Sequence, residues 1–269
     1  MPAPNLLLVG CQKSGTTWTH ISLRKSRHIV ATNEKELHFF TKPETERDWD
    51  AYLAHFPARD GASYYMETTP NYFQLPSDGR DIATEIKAAL GHPTIMAIFR
   101  NPVERYESAY IHHMDKGRLP YSATIRGLTT EIPSMLDYGR YGSILRHWKK
   151  VFPDIGTFFY DDIQADKMRF LTGMMAFLGL QNDLMAKAVD FRANDKTIKV
   201  KERHADWKMP VLEPETADQL RDYYRDEVLE LQDLTGRDLS HWLAPAPEVK
   251  TASVIGLSGY VRRMMGGRA

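Results

Sequence analysis

The sequence predicts an α/β fold of P-loop-like, three-layer build, with a central parallel sheet flanked by helices. Three observations carry this. Apolar runs alternate with helical patterns along most of the chain, as in parallel sheets built from strand–helix–strand units. The first run ends in a glycine-bounded turn that opens a helix, GCQKSGTT at residues 10–17. Finally, 42% hydrophobic and 26% charged residues over 269 positions suit one large folded unit with its own core.

The elements follow in order. Residues 6–9, Leu-Leu-Leu-Val before Gly10, form a continuous apolar run and read as a strand buried on both faces. A helix is expected from Thr16, a strand over 63–66, and a helix over 81–90 with Asp81 near its start. Residues 94–99 read as a strand and 102–114 as a helix, with Pro102 in the first turn, where its missing N–H costs nothing. Tyr141, Ile144, Leu145, Trp148 and Val151 recur at helical spacing within 138–152, and Pro153 closes that run. A strand over 155–160 and helices over 163–178 and 214–234 complete the pattern, with Gly179 and Gly236 at the helix ends. The tail from 245 is rich in Gly, Pro and Arg and reads as loosely docked.

Composition excludes several classes. Lys+Arg and Asp+Glu both number 35, so no global field draws the protein to nucleic acid or anionic lipid, and any anion site must be local. Cys11 is the single cysteine, which rules out an intramolecular disulfide framework and a cysteine-based zinc cluster. The opening MPAPNLLLVG shows neither a basic signal region nor a membrane-length apolar run, so a cytoplasmic enzyme without a transmembrane segment is expected.

The turn after the first strand raises the functional question. Backbone N–H groups converge at such a strand–turn–helix junction with the positive end of the helix dipole, which suits an anion. GCQKSGTT keeps the two glycines of a nucleotide-binding loop but has Thr16 where a triphosphatase carries lysine; Lys13 lies inside the loop instead. A second segment, RNPVERYESAY at 100–110, puts Arg100 at a strand end and Ser108 two turns into the next helix. In a parallel sheet both strand ends lie on one edge, so Lys13 and Arg100 can face one ligand with two separate phosphates. Alternatively, Arg100 pairs with Glu104 one turn on. No apolar strand ends in Asp where a triphosphatase holds magnesium, which disfavours a magnesium-dependent kinase or ATPase.

Together these residues resemble the sulfotransferases that use 3′-phosphoadenosine 5′-phosphosulfate (PAPS). KSGTTW at 13–18 is similar to that family's 5′-phosphosulfate loop, and Arg100 with Ser108 to its 3′-phosphate motif. Glu36-Leu37-His38-Phe39-Phe40 resembles the E-x-H-F-F signature of the branch that includes the heparan sulfate sulfotransferases. ETTPNYF at 67–73, residues 139–148 followed by Phe152-Pro153, FLGL at 177–180, and LTGRDL at 234–239 with Trp242 extend the likeness. It runs from Leu6 to about Trp242.

The resemblance implies a sulfotransferase domain over 1–244 and a tail over 245–269. It implies that Lys13, Ser14, Gly15, Thr16, Thr17 and Trp18 bind the 5′ end of the donor, that Arg100 and Ser108 hold its 3′-phosphate, and that Lys201 and Arg203 close over it. Glu36 aligns with the family's general base, Lys13 with the residue at the transferred group, and His38 flanks Glu36. Lys35, Thr68 and Tyr72 are expected at the acceptor, with Thr68 standing where the branch often has lysine. His112 and His113 are further candidates to line that site. If the segment is extended, Glu36 and His38 point to the same side.

The implied reaction is in-line sulfuryl transfer to a hydroxyl, with an amine as second choice, and without a metal. A glycan, a glycolipid or a small molecule fits as acceptor. Two other classes stay open: a P-loop nucleotide or small-molecule kinase, and a noncatalytic carbohydrate-binding protein on the same fold.

Overall fold

The structure is a computed structural model that describes residues 1–132, 134–193, 200 and 202–245. The tail, past Pro245, and Lys201 lie outside the described residues. The chain opens with β1 (Leu6–Gly10) and α1 (Thr16–Leu23), then β2 (Ile29–Ala31), α2 (Trp49–Leu53) and β3 (Tyr64–Thr68). Next come α3 (Ile82–Leu90), β4 (Thr94–Phe99), α4 (Pro102–Asp115), β5 (Thr124–Ile125), α5 (Ser134–Asp137) and α6 (Tyr141–Val151). They are followed by β6 (Gly156–Phe159), α7 (Tyr160–Ala165), α8 (Lys167–Phe177) and α9 (Ala186–Val189). Last are β7 (Val211–Leu212), α10 (Pro214–Thr235) and α11 (Ser240–Leu243).

Five strands form one sheet in the order β2-β3-β1-β4-β6, every neighbouring pair parallel. Because successive side chains on a strand point to opposite faces, the apolar runs of β1 and β4 feed two cores at once. Leu7, Val9, Ile95, Ala97 and Phe99 pack with Ile86, Leu145, Trp148, Leu220 and Val228 on one side. Leu6, Leu8, Met96 and Ile98 pack with Trp18, Leu23, Phe170, Leu171 and Met174 on the other. Each fully buried side chain of this size contributes roughly 1.5–3 kcal/mol, and the two-sided burial fixes the three layers. β5 and β7 make a separate parallel pair.

Local chemistry sets the helix boundaries. Asp81 Oδ1 accepts from the Ala83 and Thr84 amides to open α3, and Asn101 Oδ1 accepts from Val103 to open α4 at Pro102. Caps of this kind contribute about 1 kcal/mol each. The helix expected over 163–178 is two helices, because Asp166 at φ −159° breaks the run and caps the Met168 and Arg169 amides. The helix expected from 138 starts at Tyr141, and Gly139 lies where a Cβ would come within 2.6 Å of the Tyr224 ring. The strand expected over 63–66 runs on to Thr68, and the one expected to reach 160 stops at Phe159. Among the described residues no helix is long and apolar enough to cross a membrane.

Candidate active site

The carboxyl ends of all five sheet strands lie on one edge, and the candidate site is built there. From β1 the chain passes through Gly10 to Gly15 into α1, with the Cys11 amide bonded to Ile98 O at 2.9 Å. Two glycines are sterically required. A Cβ on Gly10 would stand 2.5 Å from Phe73 Cβ, and Gly15 combines φ 84° with a Cβ position 2.9 Å from the Tyr160 ring. Lys13 also takes a left-handed backbone, φ 67°. No side chain caps the start of α1, so its leading amides are directed to whatever binds at the loop.

Arg100, one residue past β4, is drawn to this loop. Its Nη1 donates to the Lys13 carbonyl at 3.2 Å, and its guanidinium lies 4.7 Å from the centre of the Tyr160 ring. Nε and Nη2 meet Glu104 Oε2 at 3.0 and 2.9 Å. The pairing with Glu104 and the approach to the loop therefore coexist. Ser108 is buried two turns along α4, on the helix that Arg100 precedes. Tyr160 had no sequence signal of its own; its place at the end of β6, on the same edge as Lys13 and Arg100, is what brings it in.

Thr17 is half-buried at the first turn of α1, and Thr16 is buried beside it. Ser14 is fully buried and lies beside the Tyr141 hydroxyl under the loop. Trp18 turns into the core, its indole N–H on Val189 O at 3.1 Å and its ring against Phe170 and Phe191. The charge of Lys13 reaches His112 and His113 of α4. Burial first, then Lys13, pushes the His112 imidazole down to about 4, so it is neutral at pH 7.

The second half of the site follows β2. The Glu36 amide donates to Thr68 O at 2.9 Å, fastening its segment to the end of β3. Lys35 Nζ meets Glu36 Oε1, and His38 Nε2 lies 3.9 Å from Glu36 Oε2. Burial lowers the pKa of Lys35 while the Glu36 carboxylate opposes that shift. The Glu36 side chain keeps 40% of its surface exposed, enough to meet a reactant. Glu36 and His38 do approach one another, but not through an extended segment: both take left-handed backbones, φ 67° and 55°.

Two residues expected at the acceptor, Thr68 and Tyr72, are buried. Thr68 is 0% exposed and its hydroxyl bonds His20 Nδ1 at 3.0 Å, while His20 Nε2 meets Thr32 O at 3.0 Å. Burial drives His20 down to about 4; the neutral ring donates from Nε2 to the carbonyl and accepts at Nδ1 from Thr68. Tyr72 is 0% exposed, donating to Glu67 Oε1 at 2.6 Å and accepting from the Phe40 amide at 3.1 Å. Both side chains are bonded within the protein. Arg203 pairs with Asp115 Oδ2 at 2.6 Å, which ties Arg203 to the end of α4.

The comparison with known proteins decides the class. The sulfotransferase domain family matches residues 3–233. The chain belongs to the sulfotransferase domain family. That membership sets the nucleotide kinase reading aside. The chain resembles human bifunctional heparan sulfate N-deacetylase/N-sulfotransferase 1, 24% identical over 285 residues that cover 89% of this chain and 31% of that protein. It also resembles human heparan sulfate glucosamine 3-O-sulfotransferase 3B1, 25% identical over 87% of this chain and 64% of that protein. The chain thus spans about a third of the length of the N-deacetylase/N-sulfotransferases it matches. Among solved structures, a sulfotransferase from Alicyclobacillus acidocaldarius superposes with TM-score 0.70 at 24% identity, over 91% of this chain and all of that one. Mouse sulfotransferase SULT7A1 complexed with PAP superposes with TM-score 0.54 at 17% identity, over 88% and 90% of the two chains. Both share the fold.

Proposed function

We propose that this sulfotransferase moves a sulfuryl group from PAPS to a hydroxyl acceptor, with Glu36 as general base. The observation that carries the reading is the pairing of a half-exposed Glu36 carboxylate with the loop of Lys13 along one sheet edge. The residues at the loop fit the donor: uncapped amides at α1, a glycine at the point of closest approach, and separate cations in Lys13 and Arg100. When bound, the donor supplies an SO3 group carried on a phosphate leaving group.

The chain's part is mostly placement and charge. Gly15, Thr16 and Thr17 hold the 5′-phosphate, through the amides at the start of α1 and the accessible Thr17 hydroxyl. Arg100 and Ser108 hold the 3′-phosphate, with Tyr160 beside them. Lys13 offsets the charge that builds on the leaving oxygen as its bond to sulfur breaks. Glu36 takes the acceptor proton as the new oxygen–sulfur bond forms, help typically worth a hundred- to ten-thousand-fold. Lys35 and His38 orient its two oxygens. Lys201 and Arg203 close over the nucleotide, and no step calls for a metal.

The relatives bear names of both N- and O-sulfotransferases, so likeness alone does not choose the acceptor atom. A hydroxyl is the acceptor proposed, because it is a weak nucleophile that gains from losing its proton as it attacks, and Glu36 stands beside Lys35 and His38 to take that proton. A glycan, a glycolipid or a small hydroxylated molecule fits this chemistry. A labelled-sulfate transfer screen over hydroxyl and amine acceptors tests it, with donor-free and Glu36→Gln controls. Transfer to hydroxyls that collapses in Glu36→Gln is expected; transfer to amines alone overturns the reading.

A further inference from the structure

Behind Glu36 lies a carboxyl group that the reaction does not touch. Glu67 stands on β3, paired in register with Leu7 of the central strand, and is 1% exposed. A carboxylate there is costly unless its oxygens are bonded. Three hydroxyls meet it: Tyr72 on Oε1 at 2.6 Å, Thr69 on Oε1 at 2.8 Å, and Tyr52 on Oε2. Among the described residues no cation pairs with it. Burial raises its pKa while the three hydroxyls oppose that shift, and burial together with the Glu67 charge pushes both tyrosines far up, so their hydroxyls remain donors.

Each tyrosine passes the arrangement on to the segment that carries Glu36 and His38. The Tyr72 oxygen accepts from the Phe40 amide at 3.1 Å. The Tyr52 ring stacks on Phe39 with centroids 3.9 Å apart and planes 12° from parallel. On the other flank of the segment, the Glu36 amide is bonded to Thr68 O, next in the chain to Glu67. The two left-handed residues Glu36 and His38 are thus spanned by anchors that converge on one buried carboxyl. Left-handed backbone at a non-glycine residue costs of order 1–3 kcal/mol and persists where its surroundings hold it.

We propose that Glu67 is a positioning residue for sulfuryl transfer, acting through Tyr52 and Tyr72 to set where the Glu36 carboxylate stands. The proposal rests on Glu36 being the base. Tyr72 therefore belongs to the acceptor half of the site without touching the acceptor. Removing its hydroxyl frees the Phe40 amide and leaves Glu67 Oε1 to Thr69 alone, while leaving the ring in place. Misplacement of a reacting group by about 1 Å can cost on the order of a hundredfold, so a partial release should cost about tenfold.

The test is a double-mutant cycle in the full chain. Tyr72→Phe and Glu67→Gln are each made in the native and the Glu36→Gln backgrounds, and PAP released from PAPS with water as acceptor is followed by mass spectrometry. The expected result is a fall of about tenfold in the native background and less than twofold beside Glu36→Gln, because the set-up has nothing left to position. PAP affinity stays within twofold, and deuterium exchange rises over residues 36–41 while β1 and β4 stay protected. Equal factors in the two backgrounds, or unchanged exchange over 36–41, overturn the proposal. A native rate for Glu36→Gln alone overturns the base assignment instead, so the two failures are told apart. If Glu67→Gln does not fold, Tyr72→Phe decides the matter by itself.

Discussion

Arg100 Nη1 donates to the Lys13 carbonyl oxygen at 3.2 Å, which makes the end of β4 a strut for the loop that follows β1. The contact lies between the two positive side chains assigned to the two ends of the donor, and it spends a donor of one on the backbone of the other. On the proposed assignment, loop shape and 3′-phosphate binding are coupled through this bond.

That coupling predicts a graded loss. Arg100→Ala should weaken PAP binding by roughly ten- to a hundredfold, the range for a lost charge-assisted hydrogen bond, and adenosine 5′-phosphate binding by less than tenfold. Isothermal calorimetry with the two nucleotides measures it. Equal losses would sink the 3′-phosphate assignment.

Glu36 and Lys13 should separate in kinetics. Glu36→Gln leaves PAP affinity within about twofold and lowers turnover at least a hundredfold, as expected for a lost general base. Lys13→Ala impairs both binding and turnover, since its charge serves bound and reacting states alike. Nucleotide titration beside single-turnover transfer distinguishes the two patterns.

The buried His20 makes stability fall in mild acid. Its folded pKa of about 4 lies below the usual value of 6.5, so the unfolded chain binds the extra proton between those limits. Stability is full above pH 6.5 and is lost as pH falls toward 4, by about 3 kcal/mol for this group. Thermal melts from pH 7 to 4.5 should fall less steeply in His20→Gln than in the native protein. An identical slope would show that other groups govern the acid limb.

Gly10→Ala should cost roughly 1–3 kcal/mol, because its Cβ would overlap Phe73 Cβ at 2.5 Å and a packed core must shift to admit it. Urea denaturation reads this directly. The same substitution at Gly173, where a Cβ meets nothing within 4 Å, serves as the tolerated control.

The layers were legible because apolar runs such as 6–9 and 94–99 serve two cores and leave little room for another reading. β2 was not: three residues among Arg24, Lys25, Arg27 and Asn33 carry too short a pattern, and only pairing with β3 makes them a strand. The loop and Arg100 are expected from spacing and Glu36 from the family resemblance, and both report only where residues fall along the chain. The burial of Thr68 and Tyr72 is not legible for the same reason, since it depends on what packs over a residue from elsewhere, here His20 and Glu67. The left-handed turns at Glu36 and His38 likewise follow from tertiary anchors, with no glycine to announce them.

The strand order has a consequence for how such an enzyme changes over generations. Glu36 follows the outermost strand, β2, whereas Lys13 and Arg100 follow the two strands β1 and β4, which have neighbours on both sides. Two strand spacings, about 10 Å, separate the rim from β1. Chain added or exchanged beyond β2 alters what the rim admits while the inner strands keep their partners. On the proposed assignment, a new acceptor is a change at the margin, and the donor site is the inheritance the middle of the sheet preserves.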